Sequence, residues 1–280
     1  MKQQYQTIPV SGFSLKDTLD CGQSFRWEET DGVFSGVAFG RALTVAQQED
    51  KLLFYGIGPD ELPFWREYFD LDGDYPRLQE LYLTDPVLEQ ACRFAGGITL
   101  LRQEPWEALC SFIISQNNNI PRIKGIVKRL CESFGAPLGP GIHAFPPPEQ
   151  IARLHLDDLA PLRAGFRAKY ILDAAQKVAD GTIDLEAART LPLEQARAHL
   201  MQIMGVGPKV AECALLYGLH RLEAFPVDVW MKRVLERFYP NGFPPVECPG
   251  VAQQYLFHSV RCGKLAELKA GQKNAVYIFT

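Results

Sequence analysis

Two residues nineteen positions apart form the most reactive pair in the sequence. Lys209 closely follows a Gly-Val-Gly turn, at the start of one predicted helix, and Asp228 stands directly before the next predicted helix. An amine can act as a nucleophile, and a fixed carboxylate can stabilise positive charge on a reacting carbon. The pair therefore indicates a site in which an amine attacks an electrophilic carbon beside an anion.

The positions of both residues have simpler explanations. A helix N-terminus carries partial positive charge, so a lysine there is unusual, although most single lysines are only solvated surface groups. Asp228 suits a helix N-cap, and capping alone would explain it. The cap would also hold the carboxylate rigidly, as a reactive site requires.

The turn before Lys209 predicts a helix-hairpin-helix. Gly205-Val206-Gly207 joins helices predicted at 193–203 and 208–219, and Pro208 suits a first helical position. Glycines allow positive φ angles and close backbone approach, and free N–H groups at a helix start can hold a phosphate oxygen. A DNA-backbone clamp and an ordinary helical hairpin both fit this pattern.

The segment 200–239 resembles the catalytic segment of the helix-hairpin-helix/Gly-Pro-Asp superfamily of DNA glycosylases. Within it, Gly-Val-Gly-x-Lys followed by Pro-Val-Asp-Val is similar to the bifunctional 8-oxoguanine DNA glycosylases. The resemblance implies a base-excision repair enzyme that flips 8-oxoguanine, preferably opposite cytosine, out of duplex DNA. Lys209 would displace the base and form a Schiff base that permits β-elimination at abasic sites, while Asp228 would stabilise the developing charge.

Residues that would contact the flipped base come from two further positions. Cys21-Gly22-Gln23-Ser24-Phe25-Arg26-Trp27 matches the family's Gly-Gln-Ser-Phe-Arg-Trp element, in which the glycine carbonyl accepts a hydrogen bond from N7–H. Guanine has a lone pair at N7, so Gly22 would separate the lesion from the normal base. Cys213 would lie against one face of the base. A tight turn and a buried structural cysteine are the alternatives.

Contacts to the opposite strand are implied by two segments. In the family the residue matched by Asn117 fills the space of the extruded nucleotide, and the arginines matched by Arg122 and Arg167 read the cytosine. Phe166 would wedge the duplex, although tyrosine is usual there. A polar turn and core packing would explain Asn117 and Phe166 equally simply.

The resemblance also implies contacts to the DNA backbone and a bound cation. The backbone contacts fall on Asn118, Gly205, Gly207 and Val210. A structural cation (Na, K, Ca or Mg) is expected at backbone carbonyls near Met204 and Val206, and no other cofactor is required.

The C-terminus fits the family least well. The family carries a glutamine that bonds the base's Watson–Crick edge and a phenylalanine that stacks on its other face. Aligning Ala-Gly-Gln-Lys-Asn-Ala-Val-Tyr-Ile-Phe-Thr places Asn274 and Ile278 at these positions. Trp230 stands where some relatives carry histidine, so contacts to the adjacent phosphate are expected to differ.

The elements that must position these residues change character near residue 98. Residues 1–98 carry 8 basic and 16 acidic residues, and residues 99–280 carry 21 and 17. Strands are predicted at 25–27, 33–39, 42–46 and 52–55, and helices at 64–69, 75–93, 106–115, 121–134, 148–153, 169–179, 193–203, 208–219 and 229–238. We predict an α+β fold with an N-terminal antiparallel β-sheet domain at 1–98 (TATA-binding-protein-like, by the resemblance). An all-helical domain follows at 99–280, with the hairpin at 193–219.

Composition limits the cellular compartment and the partners that we expect for this chain. No apolar run approaches the ~18 residues of a membrane helix, and the N-terminus is unlike a signal peptide. The seven cysteines are scattered without a C-x-x-C pair, so neither a zinc site nor a disulfide framework is indicated. We expect a cytoplasmic, nucleoid-associated bacterial monomer whose partner is double-stranded DNA containing 8-oxoguanine, without a membrane partner.

Three other functions each fit part of this pattern. An endonuclease III-like glycosylase for oxidised pyrimidines usually has a four-cysteine iron–sulfur loop after the aspartate, where only Cys248 and Cys262 occur. A monofunctional alkylbase glycosylase lacks the lysine. A non-enzymatic DNA-binding hairpin explains the turn but not Lys209, Asp228 and Gly22 together.

Overall fold

A five-stranded antiparallel sheet lies in the N-terminal part of the molecule. The structure is a computed structural model and describes residues 5–265. The strands follow the order β1-β5-β4-β3-β2 across the sheet. They are β1 (Tyr5–Pro9), β2 (Glu28–Thr30), β3 (Val33–Ala38), β4 (Arg41–Gln48) and β5 (Lys51–Tyr55), and a separate small hairpin contains β6 (Pro137–Gly139) and β7 (Ile142–His143).

Two-residue turns set the register of the central strands. Asp31 and Gly32 have φ angles of 51° and 78°, and Phe39 and Gly40 have 51° and 69°. Positive φ at both turn residues matches the right-handed twist of the flanking strands. Asp31-Gly32 and Phe39-Gly40 are therefore turns of this hairpin type, and they precede and follow β3.

The sheet differs from the prediction at its edges. Residues 25–27 were predicted as a strand but form an irregular segment, because their side chains are directed to partners outside the sheet. Trp27 Nε1 donates to Tyr68 Oη at 3.0 Å, and Arg26 Nη1 donates to Glu107 Oε2 at 3.3 Å. The edge strands β1 and β2 were not predicted.

Helices make up most of the remainder, and the predicted α+β fold with a β-sheet part followed by a helical part is confirmed. Residues 75–93 are two helices rather than one, since Pro86 begins a new helix that Asp85 caps. The first seven helices are α1 (Leu15–Asp20), α2 (Leu62–Tyr68), α3 (Tyr75–Tyr82), α4 (Pro86–Ala95), α5 (Pro105–Ser115), α6 (Ile120–Phe134) and α7 (Pro148–Ala152).

Six more α-helices follow in the described part of the C-terminal half. They are α8 (Arg167–Ala179), α9 (Leu185–Thr190), α10 (Leu193–Leu200), α11 (Pro208–Cys213), α12 (Val229–Phe238) and α13 (Pro249–Arg261). The second hairpin helix was predicted to continue to Leu219, but α11 passes into a single π-helical turn, Ala214–Gly218. The helix α13 was not predicted. None of the helices within residues 5–265 is long and apolar enough to span a membrane.

Two hydrophobic cores hold these elements. The smaller core lies between the sheet and α2, with Trp27, Phe54 and Trp65 at its centre. The larger core is helical, and it includes residues of α3 and α4 as well as Cys21 and Phe25. The segment between Cys21 and Trp27 therefore passes from the larger core into the smaller one.

Candidate active site

A cleft of about 330 Å³, here called the central cleft, collects residues from both parts of the chain. Gly22 and Phe25 contribute from the N-terminal part, and α5, α11, α12 and α13 contribute from the helical part. Its lining includes Gly22, Phe25, Phe112, Ser115, Asn118, Asn119, Ile120, Ile123, Lys209, Cys213, Tyr217, Pro226, Asp228, Trp230, Gln253, Phe257 and Arg261. Four residues singled out as catalytic or base-binding, Gly22, Lys209, Cys213 and Asp228, thus meet at one site.

Lys209 is the second residue of α11, and its amine is directed into the central cleft. Its side chain is partly buried, and Nζ donates to Ser115 Oγ at 3.4 Å. The same nitrogen lies 5.4 Å from the centre of the Phe112 ring. These contacts hold the amine against α5 at the surface of the central cleft. A nucleophile that attacks a ligand in the cleft must have this position.

Asp228 caps α12 at the same cleft. Its Oδ1 accepts hydrogen bonds from the backbone N–H groups of Trp230 and Met231, at 3.0 and 2.9 Å. Within residues 5–265 its Oδ2 receives no hydrogen bond. The carboxylate is therefore fixed by one oxygen and keeps acceptor capacity on the other.

Cys213 lies one helical turn after Lys209 and is buried. Burial raises the pKa of its thiol, and the positive charge of Lys209 opposes that rise only in part. The thiol is therefore protonated near neutral pH, so Cys213 offers a soft, apolar surface rather than a nucleophile.

Gly22 is a glycine for two structural reasons. Its φ angle is 89°, which side-chain-bearing residues rarely adopt. A methyl group in place of its hydrogen would lie 3.3 Å from Arg261 Nη1 and 3.6 Å from Phe257 Cε1. The backbone of Gly22 thus forms a wall of the central cleft that no side chain covers.

An adjoining wall comes from α13, a helix that was not predicted from the sequence. Gln253 and Phe257 are one helical turn apart and both line the cleft. Tyr217 Oη contacts Gln253 Oε1 at 3.3 Å and donates to Gln254 Oε1 at 2.6 Å. The available signal was Pro249 ahead of apolar residues at helical spacing in residues 249–261. Asn274 and Ile278, which had been placed at this wall, lie outside the described residues.

Three consecutive asparagines occupy residues 117–119, here called the asparagine loop. Asn117 has a φ angle of 47° and is not among the residues that line the central cleft. Asn118 does line it, and its Nδ2 donates to Ile114 O at 3.1 Å. Asn119 caps α6 by accepting from the backbone N–H of Arg122 at 3.0 Å. The three adjacent amides therefore have three different environments.

The two arginines expected at the opposite strand are unlike each other. Arg122 is exposed, but Arg167 is only 3% exposed. Arg167 Nε donates to Gln116 O at 2.8 Å, and Nη2 donates to Asn117 O at 2.9 Å. Burial, together with the charge of nearby Arg122, lowers the pKa of Arg167. Arg167 therefore supports the asparagine loop through its backbone carbonyls. The guanidinium carbon of Arg167 also lies 4.4 Å from the centre of the exposed Phe166 ring.

The two hairpin glycines differ in conformation. Gly205 has a φ angle of 75°, and a methyl group there would collide with the Tyr170 ring at 2.4 Å. Gly207 is extended, with φ −95° and ψ −178°, and it has open space where a methyl group would go. The expectation of a positive φ angle is therefore confirmed for Gly205 and wrong for Gly207. The side chain of Val210 is buried in the helical core, so only its backbone could meet a ligand.

Two family models divide most of the chain between them. Residues 7–109 match the N-terminal domain of 8-oxoguanine DNA glycosylases. Residues 110–243 match the HhH-GPD superfamily of base excision DNA repair proteins.

Three relatives are similar over most of their length. The N-glycosylase/DNA lyase of Saccharomyces cerevisiae is 34% identical, over 83% of this chain and 70% of the relative. The solved structure of MBOgg1 with a low-affinity DNA ligand is 39% identical, with a TM-score of 0.86 over 94% of this chain and 99% of that one. The Clostridium acetobutylicum 8-oxoguanine glycosylase/lyase, solved with DNA containing cytosine opposite 8-oxoguanine, is 34% identical, with a TM-score of 0.84 and the same coverages.

Proposed function

We propose that this chain, which belongs to the HhH-GPD superfamily of base excision DNA repair proteins, excises 8-oxoguanine from double-stranded DNA and then cleaves the abasic strand. It carries the N-terminal domain of 8-oxoguanine DNA glycosylases, and its relatives are named N-glycosylase/DNA lyase. The carrying observation is that Gly22, Lys209, Cys213 and Asp228 line one cleft. That cleft holds a nucleophile, an anion and a bare backbone wall around space for a flipped base.

The reaction uses the amine and the carboxylate in sequence. Lys209 Nζ, as the neutral amine, attacks C1′ with its lone pair, and the bond from C1′ to the base breaks, so the base departs with the bonding electrons and takes up the proton that Nζ loses. The C1′–O4′ bond then breaks while O4′ takes a proton from water, which leaves a protonated Schiff base on Nζ. Loss of a C2′ proton to solvent follows, and the 3′ phosphate leaves by β-elimination. Asp228 stabilises the positive charge that builds on the sugar as the base departs.

Base recognition begins at Gly22. Its carbonyl would accept a hydrogen bond from N7–H of 8-oxoguanine, whereas the lone pair on N7 of guanine would be repelled. A site built to pair with one donor rejects the analogue that lacks it. The absence of a side chain at Gly22 lets the base edge approach the backbone.

The remaining base contacts fall on α13 in this proposal. Gln253 and Phe257 replace Asn274 and Ile278 as the residues that bond the Watson–Crick edge and stack on the base. They are glutamine and phenylalanine, the types the resemblance requires, and both line the central cleft. Cys213 would contact the opposite face of the base as a protonated thiol.

The opposite strand would meet the exposed edge formed by Phe166 and Arg122. Phe166 is 47% exposed and would act as the wedge. Arg122 would read the cytosine directly, while Arg167 would support Asn117 through its backbone carbonyl. Asn118 and the hairpin N–H groups would hold the DNA backbone.

A hairpin cation and a monomeric enzyme complete the proposal. The carbonyls of Met204 and Val206 accept no hydrogen bond among the described residues, which suits oxygen ligation of a hard cation. Such an ion would supply positive charge beside a phosphate.

All proposed DNA contacts come from one chain, so a monomer would suffice, and sedimentation would measure the oligomeric state.

Covalent trapping tests the assignment of the nucleophile. Borohydride reduces a Schiff base to a stable amine, so the protein should form a covalent adduct with 8-oxoguanine duplex. Lys209→Gln should abolish the adduct and strand cleavage, because an amide cannot form the Schiff base. Lys16→Gln, at an exposed position of α1, is the matched control and should trap as the wild type does. Trapping that survives Lys209→Gln would exclude Lys209 as the nucleophile.

A further inference from the structure

Arg261, the last residue of α13, contacts the loop that carries Gly22. Its Nη2 donates to the carbonyl of Asp20 at 2.5 Å, a bond that joins residues 241 positions apart in the chain. Its Nη1 is the atom nearest to the side-chain position of Gly22 and is itself buried. Among the described residues Nη1 has no hydrogen bond partner, and the guanidinium has no salt bridge. No carboxylate of the described residues therefore competes with the loop for the guanidinium.

Other contacts connect α13 to Cys21 and Gly22 as well. Gln254 Nε2 approaches the Cys21 carbonyl at 3.5 Å, and Phe257 packs against Gly22. The next residue, Gln23, is held from the other side, since its Nε2 donates to Thr99 O at 2.9 Å. Gly22 thus lies between Gln23, which is bonded to Thr99, and the contacts that α13 makes.

A glycine with positive φ needs such anchors. Without a side chain it has more accessible backbone conformations than any other residue, so its carbonyl direction is set by its surroundings. A recognition group must be held within about 0.5 Å of its working position to be effective. The direct bond from Arg261 to Asp20 is the shortest tie between α13 and the loop, and Gln254 is the weaker tie.

We propose that Arg261 is a positioning residue that sets the Gly22 carbonyl for recognition of the damaged base. This inference rests on the proposed function, because it assigns the carbonyl a ligand. It has a specific consequence: Arg261 matters for excision of a base and not for cleavage at an abasic site. An abasic sugar presents no base edge to Gly22, whereas Lys209 acts in both reactions.

Two substrates and three variants test this inference. In Arg261→Met, excision of 8-oxoguanine should fall about ten-fold or more, the effect of losing a charge-assisted hydrogen bond, while abasic-strand cleavage stays within about two-fold. Arg261→Lys should recover part of the loss, because an ammonium can still donate to the Asp20 carbonyl. Arg93→Met removes an exposed arginine of α4 and should leave both reactions unchanged.

Equal loss of both reactions in Arg261→Met would overturn the inference, and so would no loss in either. Hydrogen exchange of the free protein gives a readout that needs no DNA. The amides of residues 20–23 should exchange faster in Arg261→Met, while those of α11 remain unchanged; unaltered exchange in the loop would also overturn it. A wild-type protein that fails to excise 8-oxoguanine would instead refute the proposed function, whatever the exchange data show.

Discussion

Asp228 shows how one side chain can serve both a helix and a reactive site. Its Oδ1 accepts from two backbone N–H groups at the start of α12, and capping of this kind contributes about 1 kcal/mol to helix stability. Its charge, in contrast, is proposed to act on the sugar. These two roles can be separated, because an asparagine caps a helix as well as an aspartate but carries no charge.

We therefore expect Asp228→Asn to keep its stability and lose its activity. The free energy of unfolding should change by less than about 1 kcal/mol, since the amide oxygen can accept the same hydrogen bonds. Excision of 8-oxoguanine should fall roughly 100-fold or more, as it does when a preorganised electrostatic group is removed. Denaturant titration and single-turnover kinetics measure the two effects. A variant that keeps full activity would exclude an electrostatic role for Asp228.

The hairpin is rigid because a neighbouring helix holds it. Asp173 of α8 accepts from the backbone N–H of Met204 at 2.6 Å, and Lys177 donates to the Gln202 carbonyl, also at 2.6 Å. Tyr170 of the same helix packs its ring where a Gly205 side chain would be. Three successive turns of α8 therefore fix the turn that precedes Lys209.

A matched pair of glycine substitutions tests this arrangement. Gly205→Ala should lower the free energy of unfolding by roughly 2–4 kcal/mol, because it combines a left-handed backbone with a collision against Tyr170. Gly207→Ala, at an extended residue with open space, should cost less than about 1 kcal/mol. Chemical denaturation of both variants measures the difference. Equal losses would show that the contact between Gly205 and Tyr170 does not organise the hairpin.

A buried ion pair connects the N-terminal part of the molecule to the helical part. Arg26, beside the segment that carries Gly22, contacts Glu107 of α5 at 3.3 Å, and both side chains are about one-tenth exposed. Burial raises the pKa of Glu107 to about 7, although the charge of Arg26 opposes the rise. The folded protein therefore binds a proton at Glu107 more tightly than the unfolded chain does.

This raised pKa predicts a pH dependence of stability. Between the ordinary glutamate pKa near 4.5 and about 7, the folded state holds more protons than the unfolded state, so the free energy of unfolding falls as pH rises. Relative to Glu107→Gln, which cannot titrate, the wild type should lose up to about 1.4 kcal/mol per pH unit in this window. Denaturation of both proteins from pH 5 to 8 measures the difference, and a constant difference would contradict the prediction.

The sequence by itself determined the features that depend on neighbouring residues. The turn before Lys209, the cap at Asp228, the helices that follow both, and the glycine at position 22 are each specified by a short run. Local backbone geometry follows from such runs because capping, proline placement and positive φ involve residues only a few positions apart. The resemblance to known glycosylases rested on these same runs.

Only the tertiary structure decided which distant residues complete the cleft. It assigned one wall to Gln253 and Phe257 of α13, buried Arg167 under the asparagine loop, and placed Arg261 beside Gly22. Each of these outcomes depends on apolar faces that pack across long separations, such as the 241 residues between Asp20 and Arg261. The apolar spacing of one helix shows that it has a buried face, but not which remote segment that face will cover.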